Sequence, residues 1–239
     1  SLFAIGAVIM RAAGCVFNDI IDKNIDRKVY RTSTRPIASE EISVSNAIVF
    51  LSMLLFLGFI ILIQFNQFTI FLGASSLILI LIYPFMKRIT FWPQAFLGLT
   101  FNWGALLGWA SVHSELNITP ILLYFAGFFW TIGYDTIYAH QDKYDDNLIG
   151  VKSTARKFGN KTKSWLFCFS CLCMLFFIIC GHLENLAWPY FAGLASGFAH
   201  LVWQIRTLDI SDSQNCLEKF KSNKIFALII FLSIISAKF

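Results

Sequence analysis

The chain predicts an all-α, polytopic transmembrane helical bundle. Three observations carry this. Hydrophobic residues make up 57% of the sequence and charged residues only 14%, whereas soluble domains carry about 25% charged residues. The apolar residues fall into stretches of helix length, and a spanning helix needs about 20 of them. The basic residues gather in alternate connections between those stretches.

The segments run in order. The first, about 1–18, ends where Asn18 and Asp19 bring polar chemistry to its tip. The second and third cover about 45–64 and 68–86, uncharged until Lys87 and Arg88. The fourth, 94–112, contains Gly98, Gly104 and Gly108, small residues that let membrane helices approach closely. The fifth, 118–139, contains Gly127 and stays apolar until Asp135. The sixth, 164–182, holds Cys168, Cys171, Cys173 and Cys180. No His lies at ligand spacing among them, so they read as reduced packing thiols and not as a metal site. The seventh, 186–204, carries Gly193 and Gly197, and the eighth, 224–239, is short. The chain reads as one domain over 1–239. No basic n-region followed by an apolar h-region and a cleavage site marks a signal peptide. No nucleic-acid partner is expected; the lipid bilayer is.

Charge sets the orientation. Of nineteen Lys and Arg, all but Arg11 and Lys238 fall at the ends of odd-numbered segments or in the connections that follow them. The connections near 65–67, 113–117 and 183–185 have none. The positive-inside rule places the basic side in the cytoplasm, or in the equivalent matrix compartment. The connections 19–44 and 140–163 on that side are longer than a helix turn needs, and such loops tend to be functional. Each repeats one layout, an apolar helix followed by acids, bases and the next helix, which suggests a duplicated four-helix unit.

Half of the fourteen acidic residues sit in these two places: Asp19, Asp22 and Asp26 after the first segment, and Asp135, Asp142, Asp145 and Asp146 after the fifth. A carboxylate at a membrane is expensive and is a functional candidate by default. Asn18, Asp22 and Asp26 step by four and share a helix face. Asp135, Tyr138, Asp142 and Asp146 step by three, four and four, which predicts a second stripe on a continued helix. Oxygen ligands of this kind suit Mg²⁺, which takes one or two carboxylates and completes its shell with water and phosphate. Asp19 lies to one side, in a supporting position. Tyr138 either positions a phosphate oxygen or serves as an interfacial aromatic. Arg31, Arg35, Lys87, Arg88, Lys143 and Lys152 either clamp phosphate oxygens or express plain positive-inside bias. Arg11 lies inside the first segment on nearly the face of Asn18, and it wants an anion: a substrate carboxylate, or an internal acid such as Asp135. Asn102, polar within the fourth segment, is either an acceptor contact or an interhelical hydrogen bond.

The runs Asn18-Asp19-x-x-Asp22-x-x-x-Asp26 and Asp135-x-x-Tyr138-Ala139-x-x-Asp142 resemble the paired signatures of the UbiA family of intramembrane aromatic prenyltransferases. The flanking runs Arg-Ala-Ala-Gly-Cys (11–15), Arg-Thr-x-x-Arg-Pro (31–36), Tyr-Pro-Phe-Met-Lys-Arg (83–88), Trp-Pro-Gln (92–94), Asn-Trp-Gly-Ala (102–105) and Gly-Val-Lys-Ser-Thr-Ala (150–155) are similar to the branch that uses 4-hydroxybenzoate in ubiquinone synthesis. The resemblance implies a nine-helix fold, of which eight are visible, with the first missing and the last cut short. It implies a polyprenyl diphosphate donor, 4-hydroxybenzoate as acceptor and Mg²⁺ as cofactor. Asn18, Asp22, Asp142 and Asp146 would then hold the metal, with Asp26 and Asp135 assisting. Asp22, Asp142, Asp146 and Tyr138 form the catalytic set, Arg31, Arg35, Lys87, Arg88, Lys143 and Lys152 take the diphosphate, and Arg11 and Asn102 take the acceptor. Other acceptors (homogentisate, a naphthoate or haem) are the alternatives within the family. A cation transporter is the alternative outside it, although transporters place ions near the midplane. Both a bacterial plasma membrane and a mitochondrial inner membrane fit.

Overall fold

The computed structural model describes residues 2–237. Ser1 and 238–239, the outer ends of the first and last predicted segments, lie outside them. The described residues form helices α1 (Leu2–Asp26), α2 (Val44–Leu62), α3 (Gln67–Ile89), α4 (Pro93–Phe101), α5 (Trp103–His113), α6 (Ile118–Ala139), α7 (Lys143–Ile149), α8 (Thr154–Phe158), α9 (Thr162–Leu183), α10 (Trp188–Arg206) and α11 (Ser213–Ser236). With α4 and α5 taken as one broken span, eight long segments remain, as the hydropathy predicts. α1, α2, α3, the α4–α5 pair and α9 are long and apolar enough to cross a membrane.

Local chemistry sets the starts. Ser43 Oγ and Asn66 Oδ1 accept from the backbone N–H of Asn46 and Thr69, capping α2 and α3. Pro93 occupies the first turn of α4, where its missing N–H costs nothing. Asp212 caps α11 by accepting from Gln214 and Asn215.

Four expectations are corrected. α1 continues through the acid stripe to Asp26 instead of ending at 18. α11 begins at Ser213, eleven residues before the apolar run, because its first turns are polar helix outside the apolar layer. The fourth segment is broken at Asn102, whose Nδ2 donates to Gly98 O and to Thr131 Oγ1, each at 2.8 Å. A side chain inserted into the backbone ladder in this way kinks a helix. The second acid stripe is not one α-helix. α6 ends at Ala139, a 3₁₀ turn covers His140–Asp142, and α7 follows.

α6 is the central post. It packs against α9, α4, α11 and α5. Around it Ala126, Cys173, Phe177, Tyr190, Leu194 and Phe226 form the main core. Outward residues such as Phe50, Phe56, Phe71 and Ile78 are exposed, the pattern of a bundle whose outer solvent is lipid. Asn102 leans on Gly127, where any Cβ would collide with its amide oxygen. Gly127→Ala is therefore expected to destabilise the bundle by about 1–3 kcal/mol, seen as a lower melting temperature in detergent.

Candidate active site

The two acid clusters come from different helices and meet in one cleft of about 170 Å³ at the basic end of the bundle. α1 supplies Asn18, Asp22 and Asp26; the loop after it supplies Arg31, Thr32 and Arg35. α3 supplies Tyr83, Pro84 and Lys87, and α4 supplies Pro93 and Gln94. α6 and the turns beyond it supply Asp135, Tyr138, Asp142, Asp146, Lys152 and Ser153. Both predicted stripes face this space.

Its charges are interleaved. Asp22 is 1% exposed. Lys87 Nζ lies 2.5 Å from its Oδ2 and Arg88 Nη2 lies 3.7 Å from its Oδ1, yet neither oxygen receives an aligned hydrogen bond. Arg35 Nη1 bridges Asp19 at 2.9 Å and Asp26 at 3.0 Å. Arg31 reaches across the cleft to Asp142 (2.5 Å) and donates to Tyr138 Oη at 2.7 Å. A neighbouring stitch runs from Tyr30 N to Asp145 Oδ2 at 3.0 Å. The loop after α1 is thus tied to the turn after α6.

Asp135 has neither an ion pair nor a hydrogen bond among the described residues, and it sits about 10 Å deeper than Asp142 along the helix direction. Arg11 forms no ion pair with it. It is exposed on α1, about two turns before Asn18, and lies outside the cleft lining. Burial, together with the nearby Asp142 charge, pushes the Asp146 carboxyl up to about 7. Burial likewise pushes His140, which sits behind the cluster with Nε2 3.0 Å from Thr162 Oγ1, down to about 4.

Some candidates fall elsewhere. Arg88 is spent on Ile21 O at 2.9 Å, and Lys143 lies outside the cleft lining. Asn102 is engaged between helices, the alternative that the sequence had left open. Two residues gain importance. Tyr83 lines the cleft. Buried Gln94 accepts from Thr154 N at 3.0 Å, and Thr154 Oγ1 shares a 2.7 Å hydrogen bond with Thr136 of α6. Lys152 N also donates to Lys87 O at 2.8 Å. This network pins the 150–154 loop over the cleft. The signal for both was their place within the Tyr83–Arg88 and Trp92–Gln94 runs, not hydropathy.

The donor set is all oxygen, which suits a hard divalent cation, and the buried Asp22 carboxylate, paired with Lys87 yet without an aligned hydrogen bond on either oxygen, is among the groups such a cation would take over. Among the described residues, however, no three His, Cys, Asp or Glu side chains already converge on one point.

The model of the UbiA prenyltransferase family matches residues 1–235. The chain belongs to this family. It is 51% identical over 236 residues to the mitochondrial 4-hydroxybenzoate polyprenyltransferase of Arabidopsis thaliana, covering 98% of this chain and 58% of that protein. It is 52% identical to the Bos taurus protein of the same name, covering 98% and 64%. The chain thus spans about three fifths of the length of these relatives. Among solved structures, the apo UbiA homologue of Aeropyrum pernix K1 superposes with TM-score 0.85 at 23% identity, covering 100% of this chain and 89% of that one. The Archaeoglobus fulgidus homologue bound to GPP and Mg²⁺ gives 0.71 at 18%, covering 100% and 88%. These likenesses bear out the helical membrane fold of this UbiA-family chain.

Proposed function

We propose that this protein transfers a polyprenyl group from polyprenyl diphosphate to the ring carbon ortho to the hydroxyl of 4-hydroxybenzoate, in the mitochondrial inner membrane, with Mg²⁺ as cofactor. The observation that carries this reading is the meeting of two acid clusters and their basic partners in one membrane cleft. The relatives named for this activity, at about half identity, support the choice of acceptor.

Asn18, Asp22, Asp142 and Asp146 would hold Mg²⁺, with Asp26 in support; all five line the cleft. Bound there, the metal supplies charge neutralisation to the diphosphate leaving group. Arg31, Arg35 and Lys87 line the same space and exchange their carboxylate partners for phosphate oxygens, and Lys152, whose Nζ donates to Ile89 O, turns from that carbonyl to join them. The C1–O bond of the donor breaks and its electron pair leaves with the diphosphate. The allylic cation is attacked by the π electrons of the ortho carbon, and the ring proton passes to a base. Asp135, unpaired and deep, is the carboxylate suited to receive it. Tyr138 and Tyr83 bound the space the cation crosses, and the apolar bundle excludes the water that would quench it. The direct test incubates the protein in membranes with a panel of polyprenyl diphosphates and aromatic acceptors and identifies the products by mass. Absence of any prenylated 4-hydroxybenzoate while another acceptor reacts would reassign the substrate.

Two predictions arise here. Arg11→Met is expected to raise the apparent constant for 4-hydroxybenzoate by roughly one to two decades, as for loss of a charge-assisted hydrogen bond, and to leave that for the donor nearly unchanged. Arg11→Lys should recover only part, because the planar fork is lost. Equal weakening of both substrates would make Arg11 structural.

The second concerns pH. With its carboxyl pushed up to about 7, Asp146 is largely protonated at pH 6 and must lose that proton to ligate. Mg²⁺ affinity, measured by calorimetry with a non-hydrolysable donor, should rise from pH 6 to above 7 and then flatten. Asp146→Asn should bind more weakly and remove most of that slope. An unchanged slope in the variant would exclude Asp146 as the titrating ligand.

A further inference from the structure

A second polar constellation lies away from the cleft, where α10 and α11 reach the basic side. Lys219 is 8% exposed. It makes no ion pair among the described residues, and its neighbours Asp212 and Glu218 do not reach it. Its ammonium lies 4.0 Å from the ring centroid of Trp203. Trp203 is itself 47% exposed on the outer face of α10. The His200 ring stands 5.3 Å from Trp203, and its Nε2 is buried without a hydrogen-bond partner. A buried cation with unspent donors, a bare imidazole nitrogen and an exposed indole therefore share one spot. A buried charge without an acid is costly unless an anion arrives from outside.

The position specifies the anion. Trp188 and Trp203 mark the two ends of α10, about 22 Å apart at helical rise, so Trp203 lies at the belt where aromatic residues meet headgroups. Below it the outer face of α10 carries Ala192, Ala195, Ser196 and Ala199, all exposed. The outer side of α11 is apolar, with Leu228, Phe231 and Leu232 exposed. A smooth apolar strip thus descends from a cationic pocket. A free anion would use only the pocket, whereas a phospholipid uses both.

We propose that Lys219, His200 and Trp203 form a headgroup site for one anionic phospholipid, whose acyl chain lies along the small-residue face of α10. The phosphate oxygens accept from the Lys219 ammonium, the Trp203 ring covers the glycerol side, and the His200 ring backs the indole. The site is separate from the cleft and does not depend on the chemistry proposed there.

The test uses the purified full chain in detergent and native mass spectrometry with phosphatidylglycerol, phosphatidylcholine or inorganic phosphate. One phosphatidylglycerol should be retained with about tenfold preference over phosphatidylcholine. Lys219→Met should erase the preference and Lys219→Arg should keep it. Lys221→Met, which removes an exposed charge on the same helix, should change it by less than about twofold. Millimolar inorganic phosphate should not displace the lipid. Retained preference in Lys219→Met, an equal loss in Lys221→Met, or displacement by phosphate would each overturn the proposal. Photo-crosslinking phosphatidylglycerol to the unmutated chain keeps the test valid if Lys219→Met does not fold. Adducts should fall within 192–232, and adducts confined elsewhere would overturn it.

Discussion

Asp22→Ala and Asp142→Ala are each expected to lower prenyl transfer by two to three orders of magnitude or more, the size of effect seen when one preorganised electrostatic partner of a transition state is removed. The two residues come from opposite walls of the cleft. Asp22 is buried on α1 against Lys87, and Asp142 sits on the 3₁₀ turn beyond α6 against Arg31. The stability costs of the two changes differ, which helps separate folding from function. Asp22→Ala leaves Lys87 beside a buried gap, an arrangement that costs about 3–5 kcal/mol where it is not relieved. Lys87 is 23% exposed and can turn to water, so the protein should still reach the membrane. Asp142 is more accessible, and its loss should hardly shift the melting temperature. Asp22→Asn keeps a ligand oxygen without the charge and should retain more turnover than Ala. Near-normal turnover in either Ala variant, with product measured by mass, would sink the two-wall reading of the site.

Arg31→Met should raise the apparent constant for the polyprenyl diphosphate by about one to two decades. It should also tighten Mg²⁺ binding in the absence of donor, because Asp142 then loses the guanidinium that neutralises it. The opposite signs distinguish this from simple damage. A misfolded site would weaken both ligands, and a residue serving only positive-inside bias would change neither. Arg31→Lys should give an intermediate donor constant, because a point charge cannot contact Asp142 and Tyr138 together as the fork does. Calorimetry with Mg²⁺ alone, then with a non-hydrolysable donor, reads both effects.

The parts of this protein legible in its sequence are those governed by periodicity and hydropathy. The four-residue steps of Asn18, Asp22 and Asp26 placed them on one face, and they line one wall. The apolar runs located α2, α3 and α9 closely because lipid imposes a length. Features set by single hydrogen bonds escaped. Nothing in composition distinguishes a side chain that bridges two helices from one that meets a ligand, so Asn102 stayed ambiguous until Thr131 appeared opposite it. The turn at His140–Asp142 is a local tightening inside an otherwise helical pattern. The start of α11 was missed because a polar helix lying outside the apolar layer has no hydropathy signal. Arg88 and Lys143 were grouped with the phosphate clamps as bases at the same helix ends and loops as the acid clusters, and only the three-dimensional arrangement shows Arg88 turned to Ile21 O and Lys143 outside the cleft lining. Gln94 stayed hidden because its partner, the Thr154 backbone, is sixty residues away.

The interleaving of acids and bases in the cleft also bears on the order of events. Five carboxylates, Asp22, Asp26, Asp135, Asp142 and Asp146, face four cations, Arg31, Arg35, Lys87 and Lys152, so the charges of the chamber's own walls nearly cancel. A diphosphate entering alone would bring its whole negative charge into a space bounded by lipid-facing helices. Metal entering alone would have to evict the bases with nowhere to send them. On the proposed reading the two arrive together, as a complex whose opposite charges are already matched. The carboxylates would then hold the cation and the bases the phosphate oxygens as the internal pairs open, and the same pairs would re-form to balance the walls once the leaving group is gone.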